Sequence, residues 1–135
     1  MDGNGQLRVL MIEDDPDTAE LYRIKLRSDG CAVTVAQDGE AGHELAAGLQ
    51  PDIIILDVRL PKLDGLQVLA KLHAERATRD IPVLMLSNES SPITIGVCRE
   101  LGALDYLIKT ETPPSALCRA VMTYASRGNG DVLAS

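Results

Sequence analysis

Ile53-Ile54-Ile55-Leu56-Asp57 is the stretch that decides how this chain folds. Four consecutive apolar residues leave no polar face, so a strand made from them has to be covered on both sides. Asp57 ends the run with a carboxylate. Val83-Leu84-Met85-Leu86 repeats the pattern and Ser87 closes it. Strands covered on both faces belong to parallel sheets, whose connections are crossover helices.

Working outward, the spacing predicts strands over 7–12, 31–36, 53–56, 81–86 and 104–108, each followed by a segment of helical period. The last helix is the clearest. Pro114, Leu117, Cys118, Val121, Tyr124 and Ala125 recur at helical spacing, and Thr112, before Pro113 and Pro114, reads as the N-cap. Leu66, Leu69 and Leu72 mark a second helix with Glu75 and Arg76 near its end. Ala41, Leu45 and Leu49 mark a third, weakened by Gly42. A helix over 16–28 has a broad apolar face that includes Leu21, Tyr22, Ile24 and Leu26. Gly30 and Gly102 stand where helices should end. Five βα units with right-handed crossovers give an α/β, doubly wound, five-stranded parallel sheet with helices on both faces.

Size and composition agree with one such domain. The chain has 135 residues, 45% of them hydrophobic, which is enough to fill a core. There is no Phe or Trp and only three Tyr, so the core must be aliphatic and no base-stacking surface is expected. A net charge of −7 argues against direct nucleic-acid binding, which needs clustered cations. Cys31, Cys98 and Cys118 show no CxxC spacing and read as small buried residues in a reducing compartment. No run approaches the roughly 20 apolar residues of a membrane span, so a soluble, cytoplasmic protein without membrane insertion is expected. Residues 1–6 and 128–135 read as terminal tails, the latter mobile, around a domain over 7–127.

The chemistry sits where ligands bind an open parallel sheet, at the carboxyl ends of its strands. Strand one ends in Glu13-Asp14-Asp15, strand three in Asp57, strand four in Ser87 and strand five in Lys109. Converging carboxylates repel unless a cation compensates them, and an oxygen-rich set suits Mg²⁺. A carboxylate beside such a metal can attack phosphorus and form an acyl phosphate. Ser87 and Lys109 would then bind the phosphoryl oxygens. Asp15 and Asp17 are better read as helix-capping acids than as ligands.

The ordered set Val9 to Asp15, Ile54 to Pro61, Asp64-Gly65, Met85-Leu86-Ser87 and Gly102 to Lys109 resembles the response-regulator receiver domains of two-component signalling, over roughly residues 7–127. The resemblance implies the flavodoxin-like (βα)5 fold with strand order 2-1-3-4-5, as in chemotaxis-type single-domain regulators. It implies Asp57 as phosphoacceptor, with Ser87 and Lys109 assisting. Mg²⁺, with Mn²⁺ as a substitute, would be held by Glu13, Asp14, Asp57 and the backbone carbonyl of Arg59. Ser87 and Tyr106 would be the switch pair. The implied partners are a histidine kinase or histidine phosphotransfer protein, a downstream protein target, and a second copy in a phosphorylation-dependent dimer. Helix four, strand five and helix five form the face expected to report the change, since they begin at the Ser87 loop and include Tyr106.

The chain departs from the family pattern at two positions. Thr110 follows Lys109 where the family has a cis-linked proline; a cis bond to a non-proline residue costs about 3 kcal/mol, so a trans bond and a rearranged loop are expected. Asn88 follows Ser87 where a small residue is usual. Arg59 and Glu89, two residues beyond Asp57 and Ser87, are expected to pair across the site and lengthen the life of a phosphoryl group. The competing reading is two solvated charges. Among other functions, a metal-dependent phosphohydrolase would want an acid where Arg59 stands, and would want an enclosing lid. A receiver fold kept only as a binding module is opposed by the intact acidic set. Dinucleotide binding lacks a GxGxxG after the first strand.

Overall fold

Hydrophobic pattern and parallel pairing meet in the sheet. In the computed structural model, residues 6–127 are described, and they form β1 (Leu7–Ile12), α1 (Pro16–Ser28), β2 (Cys31–Ala36), α2 (Gly39–Leu49), β3 (Ile53–Leu56), α3 (Gly65–Ala74), β4 (Val83–Ser87), α4 (Pro92–Glu100), β5 (Asp105–Ile108), a short 3₁₀ turn over Lys109–Glu111, and α5 (Pro114–Arg127). All strand pairs are parallel, in the order β2-β1-β3-β4-β5. The register aligns Ile12 with Leu56 and Leu56 with Met85, so neighbouring strands end close to one rim. Apart from Gln6, both expected tails lie outside the described residues.

The continuous runs are buried as their composition demands. Ile53, Ile54, Ile55 and Leu56 are each no more than 1% exposed. Alternate residues divide between the two faces. Ile54, Leu56, Met85, Leu69 and Leu72 join one layer of core, and Ile53, Ile55, Leu84, Leu26, Leu117 and Val121 join the other. Cys98 is buried in the first layer, Cys31 and Cys118 in the second, and burial raises all three thiols, Cys118 to about 12.

Gly30 and Gly102 have φ of +96° and +107°, the left-handed conformation that a glycine permits at a helix end. Gly42 is no weak point of α2: a Cβ there would lie 2.5 Å from Cδ1 of Ile12, so glycine lets the helix approach β1.

Three expectations are corrected. Leu21 and Ile24 point to solvent, 57% and 56% exposed, because Ala19, Tyr22 and Leu26 form the inward stripe of α1. Thr112 is not the N-cap of α5. Its hydroxyl donates to the Ile108 carbonyl at 2.7 Å, and the Pro113 carbonyl receives the first helical bonds, from Ala116 and Leu117. The fourth and fifth strands begin at Val83 and Asp105 rather than at 81 and 104. Pro82 lacks an N–H, although its carbonyl still accepts from Ile54 at 2.9 Å.

Candidate functional site

Each acidic side chain is placed by the strand or loop that carries it. The Glu13 N–H donates to the Ala36 carbonyl at 2.9 Å, which keeps Glu13 in line with β1, and its side chain is 3% exposed. Asp14 is exposed at the rim. Asp15 turns away to cap α1, accepting the Thr18 N–H at 3.1 Å and the Thr18 hydroxyl, bonds that hold its carboxyl below the usual range. Asp17 lies in the first turn of α1. Asp57 continues β3, its N–H donating to the Ile12 carbonyl at 3.2 Å, and the residue is only 6% exposed.

Glu13, Asp14 and Asp57 each present a carboxylate oxygen within 4.8 Å of the others. Lys109 is the counter-charge. Its ammonium lies 2.6 Å from Glu13 Oε1 and 2.6 Å from Asp57 Oδ2. Burial acts to lower the lysine, but the bonds to Asp57 and Glu13 outweigh it and hold the ammonium above its ordinary range. Desolvation raises Glu13 in spite of the same lysine. When all are ionised, three carboxylates face one ammonium, and two negative charges remain for a divalent cation to neutralise. The set is all oxygen, which fits a hard cation such as Mg²⁺.

The other expected residues gather at the same cavity, which Glu13, Asp14, Asp57, Ser87, Asn88 and Lys109 line. Ser87 is buried at the end of β4 and its hydroxyl accepts the Glu89 N–H at 3.2 Å. The Arg59 N–H donates to Asp57 Oδ1 at 3.2 Å, and its guanidinium meets Glu89 Oε1 at 2.6 Å, so the anticipated pair forms. Both residues also line the adjoining groove formed by Val58, Leu60, Leu66 and Thr94, so the pair stands between the two spaces. Tyr106 is more than half-buried: it is 8% exposed, and its hydroxyl donates to the Glu89 carbonyl. Burial raises the phenol.

No cis peptide bond occurs among the described residues, so Lys109–Thr110 is trans as expected. Lys109 opens the 3₁₀ turn, which two bonds from outside brace. The Tyr22 hydroxyl donates to the Thr112 carbonyl at 2.6 Å, and Asn88 Oδ1 accepts the Thr110 N–H at 3.2 Å. Sequence reasoning missed both. The first joins residues 90 apart and the second residues 22 apart, and no local pattern marks either.

Against known proteins, residues 9–121 match the family model described as the response regulator receiver domain. Among curated relatives, the DNA-binding dual master transcriptional regulator RpaA of Synechocystis sp. is 49% identical over 80 residues, 59% of this chain and 33% of that protein. The DNA-binding response regulator MtrA of Mycolicibacterium smegmatis is 33% identical over 83% of this chain and 48% of its own length. The chain thus spans from a third to about half of these relatives. Among solved structures, the BeF3-activated N-terminal receiver domain of RstA from Klebsiella pneumoniae is similar at a TM-score of 0.80. It is 29% identical, and the match covers 87% of this chain and 97% of that one.

Proposed function

From the fact that this chain belongs to the response regulator receiver domains, we propose that it takes a phosphoryl group onto Asp57 and thereby switches a protein-binding face in two-component signalling. The observation that carries this reading is the single cluster in which Glu13, Asp14 and Asp57 lie together with Lys109 bonded to two of them. Glu13, Asp14, Asp57 and the Arg59 carbonyl would hold Mg²⁺, with Mn²⁺ as an alternative. The bound cation would supply positive charge against the phosphoryl oxygens.

The donor is a phosphohistidine on a kinase or a phosphotransfer protein. An Asp57 oxygen attacks phosphorus, the O–P bond forms as the N–P bond breaks, and the imidazole nitrogen departs with the bonding pair. Water reverses the modification by attacking phosphorus, and the O–P pair returns to the carboxylate. Lys109 transfers its contact from the carboxylate to a phosphoryl oxygen, and the Ser87 hydroxyl donates to another. Drawing Ser87 inward reshapes the loop to which Tyr106 is bonded at Glu89. The face of α4, β5 and α5 reports the change to a downstream protein or a second copy. The test is intact-mass spectrometry with Mg²⁺ and a small phosphodonor such as phosphoramidate. One added phosphoryl group is expected, and none after chelation of the metal.

Two further outcomes follow from the same geometry. Mg²⁺ should raise the melting temperature, because it relieves repulsion that exists only in the folded state. At roughly tenfold above Kd the gain is about 1.4 kcal/mol, or about 5 °C by differential scanning calorimetry. Unchanged melting in the presence of Mg²⁺ would remove the metal from the reading. The Arg59–Glu89 pair flanks the path of attacking water, so Arg59→Ala should shorten the phosphoryl lifetime. Arg59 is 80% exposed, and water screens the pair, so about threefold faster loss of label is the scale expected. An equal or longer lifetime in the variant would show that the pair does not shield the site.

A further inference from the structure

A 3₁₀ or α-helix leaves the first N–H groups of its backbone without partners inside the helix. Thr110 lies in the first turn after β5, and its N–H finds a partner across the rim, in the side chain of Asn88. Asn88 is flanked by Ser87, whose hydroxyl lines the cavity, and by Glu89, which receives the bonds of Arg59 and Tyr106. Thr110 directly follows Lys109, whose ammonium is shared between Glu13 and Asp57. One side-chain bond therefore joins the loop that carries the hydroxyl to the turn that carries the ammonium. At its far end the same turn is fixed to α1 by the buried Tyr22–Thr112 bond. Beyond the β4–β5 ladder that pairs Ser87 with Ile108, the Asn88 link thus adds a side-chain connection between a braced turn and the β4–α4 loop.

We propose that Asn88 is a positioning residue: by accepting the Thr110 N–H it holds Ser87 and Lys109 as one unit for the tetrahedral anion that Asp57 accepts. The inference rests on the phosphoacceptor reading. Two separate loops would each lose conformational freedom when the anion binds. Linked loops have lost much of it beforehand, so binding to the linked pair costs less. The link is a single solvent-exposed hydrogen bond, so its effect on anion binding is modest.

The experiment uses beryllofluoride, a non-covalent tetrahedral anion that mimics the phosphoryl group, in Mg²⁺. Wild type and Asn88→Ala are compared by calorimetric titration and by NMR measurement of amide exchange at Thr110. Asn88→Ala should bind beryllofluoride about fivefold more weakly, with the Thr110 amide exchanging about fivefold faster, the scale of one net hydrogen bond. Asn88→Asp keeps the acceptor oxygen and should restore Thr110 protection. Equal affinity in wild type and Asn88→Ala would overturn the proposal, and so would weakened binding with Thr110 exchange unchanged. Failure of wild type itself to bind the anion would bring down the phosphoacceptor reading together with this one.

Discussion

Asp57→Asn should abolish phosphoryl uptake altogether while leaving the metal-free protein at least as stable as wild type. The loss follows from chemistry, since an amide oxygen is too weak a nucleophile to replace a carboxylate at phosphorus. The retained stability follows from charge. Lys109 now sits between two carboxylates, and replacing one with an amide leaves it paired with Glu13 while removing a buried negative charge. The Mg²⁺-dependent rise in melting temperature should shrink to less than about 2 °C, because one of three clustered carboxylates is gone. Intact mass and scanning calorimetry on the same samples check both halves. One competing acceptor is Ser87, which lines the same cavity. Hydroxylamine separates the two, since it cleaves an acyl phosphate and leaves a serine phosphate intact. Label that persists in Asp57→Asn, or that survives hydroxylamine in wild type, would move the acceptor away from Asp57.

Gly65→Ala should be among the most damaging single-methyl changes in the chain. Gly65 opens α3 behind Asp64, which caps the helix and forms a reciprocal box with Gln67, at 2.9 and 3.0 Å. The Gly65 N–H donates to the Val58 carbonyl at 2.7 Å, pressing the helix start against the residues after β3. A Cβ at Gly65 would overlap the Asp57 carbonyl oxygen and stand 2.6 Å from Cα of Val58. The three nearest atoms are all backbone, so no rotamer change relieves the overlap. Alanine's better helix propensity is worth at most about 1 kcal/mol, whereas backbone displacement in a packed site costs about 3 kcal/mol. The net loss of about 2 kcal/mol should lower the melting temperature by about 7 °C, and the Mg²⁺ response should fall with it because Asp57 itself is displaced. Gly48 and Gly96 are helical glycines with nothing within 4 Å of an added Cβ. Gly48→Ala and Gly96→Ala should leave stability unchanged or raise it. Equal behaviour of all three variants would mean that close approach at Gly65 is not what requires glycine there.

Much of this architecture is legible in the sequence, and the reasons are local. Ile53 to Leu56 can be buried on both faces only in a parallel sheet, and the residues that end such runs must share a rim. That placed Glu13, Asp14, Asp57, Ser87 and Lys109 together. The strand order came from the family resemblance, since periodicity does not say which strand lies beside which. Misreadings arose where one pattern served two ends. Leu21 and Ile24 added apolar weight to α1, yet its inward stripe was already filled by Ala19, Tyr22 and Leu26. Thr112 had the composition of a cap, but its hydroxyl was taken by the Ile108 carbonyl. The Asn88–Thr110 bond depends on how two loops meet at the rim, which no sequence spacing encodes.

The placement of the three thiols gives the molecule a built-in chemical record of its own breathing. Cys98 is enclosed in one layer of the core and Cys31 in the other, while Cys118 packs in that second layer and also lines a surface cavity beside Lys25 and Asp29. A raised thiol that solvent cannot reach reacts with an alkylating reagent only during an opening that uncovers it. Tags counted on Cys98 and Cys31 by peptide mapping over time would therefore measure how often each side of the sheet lifts. If anion binding at the rim tightens α4, tagging of Cys98 will slow while that of the other two continues at its former pace.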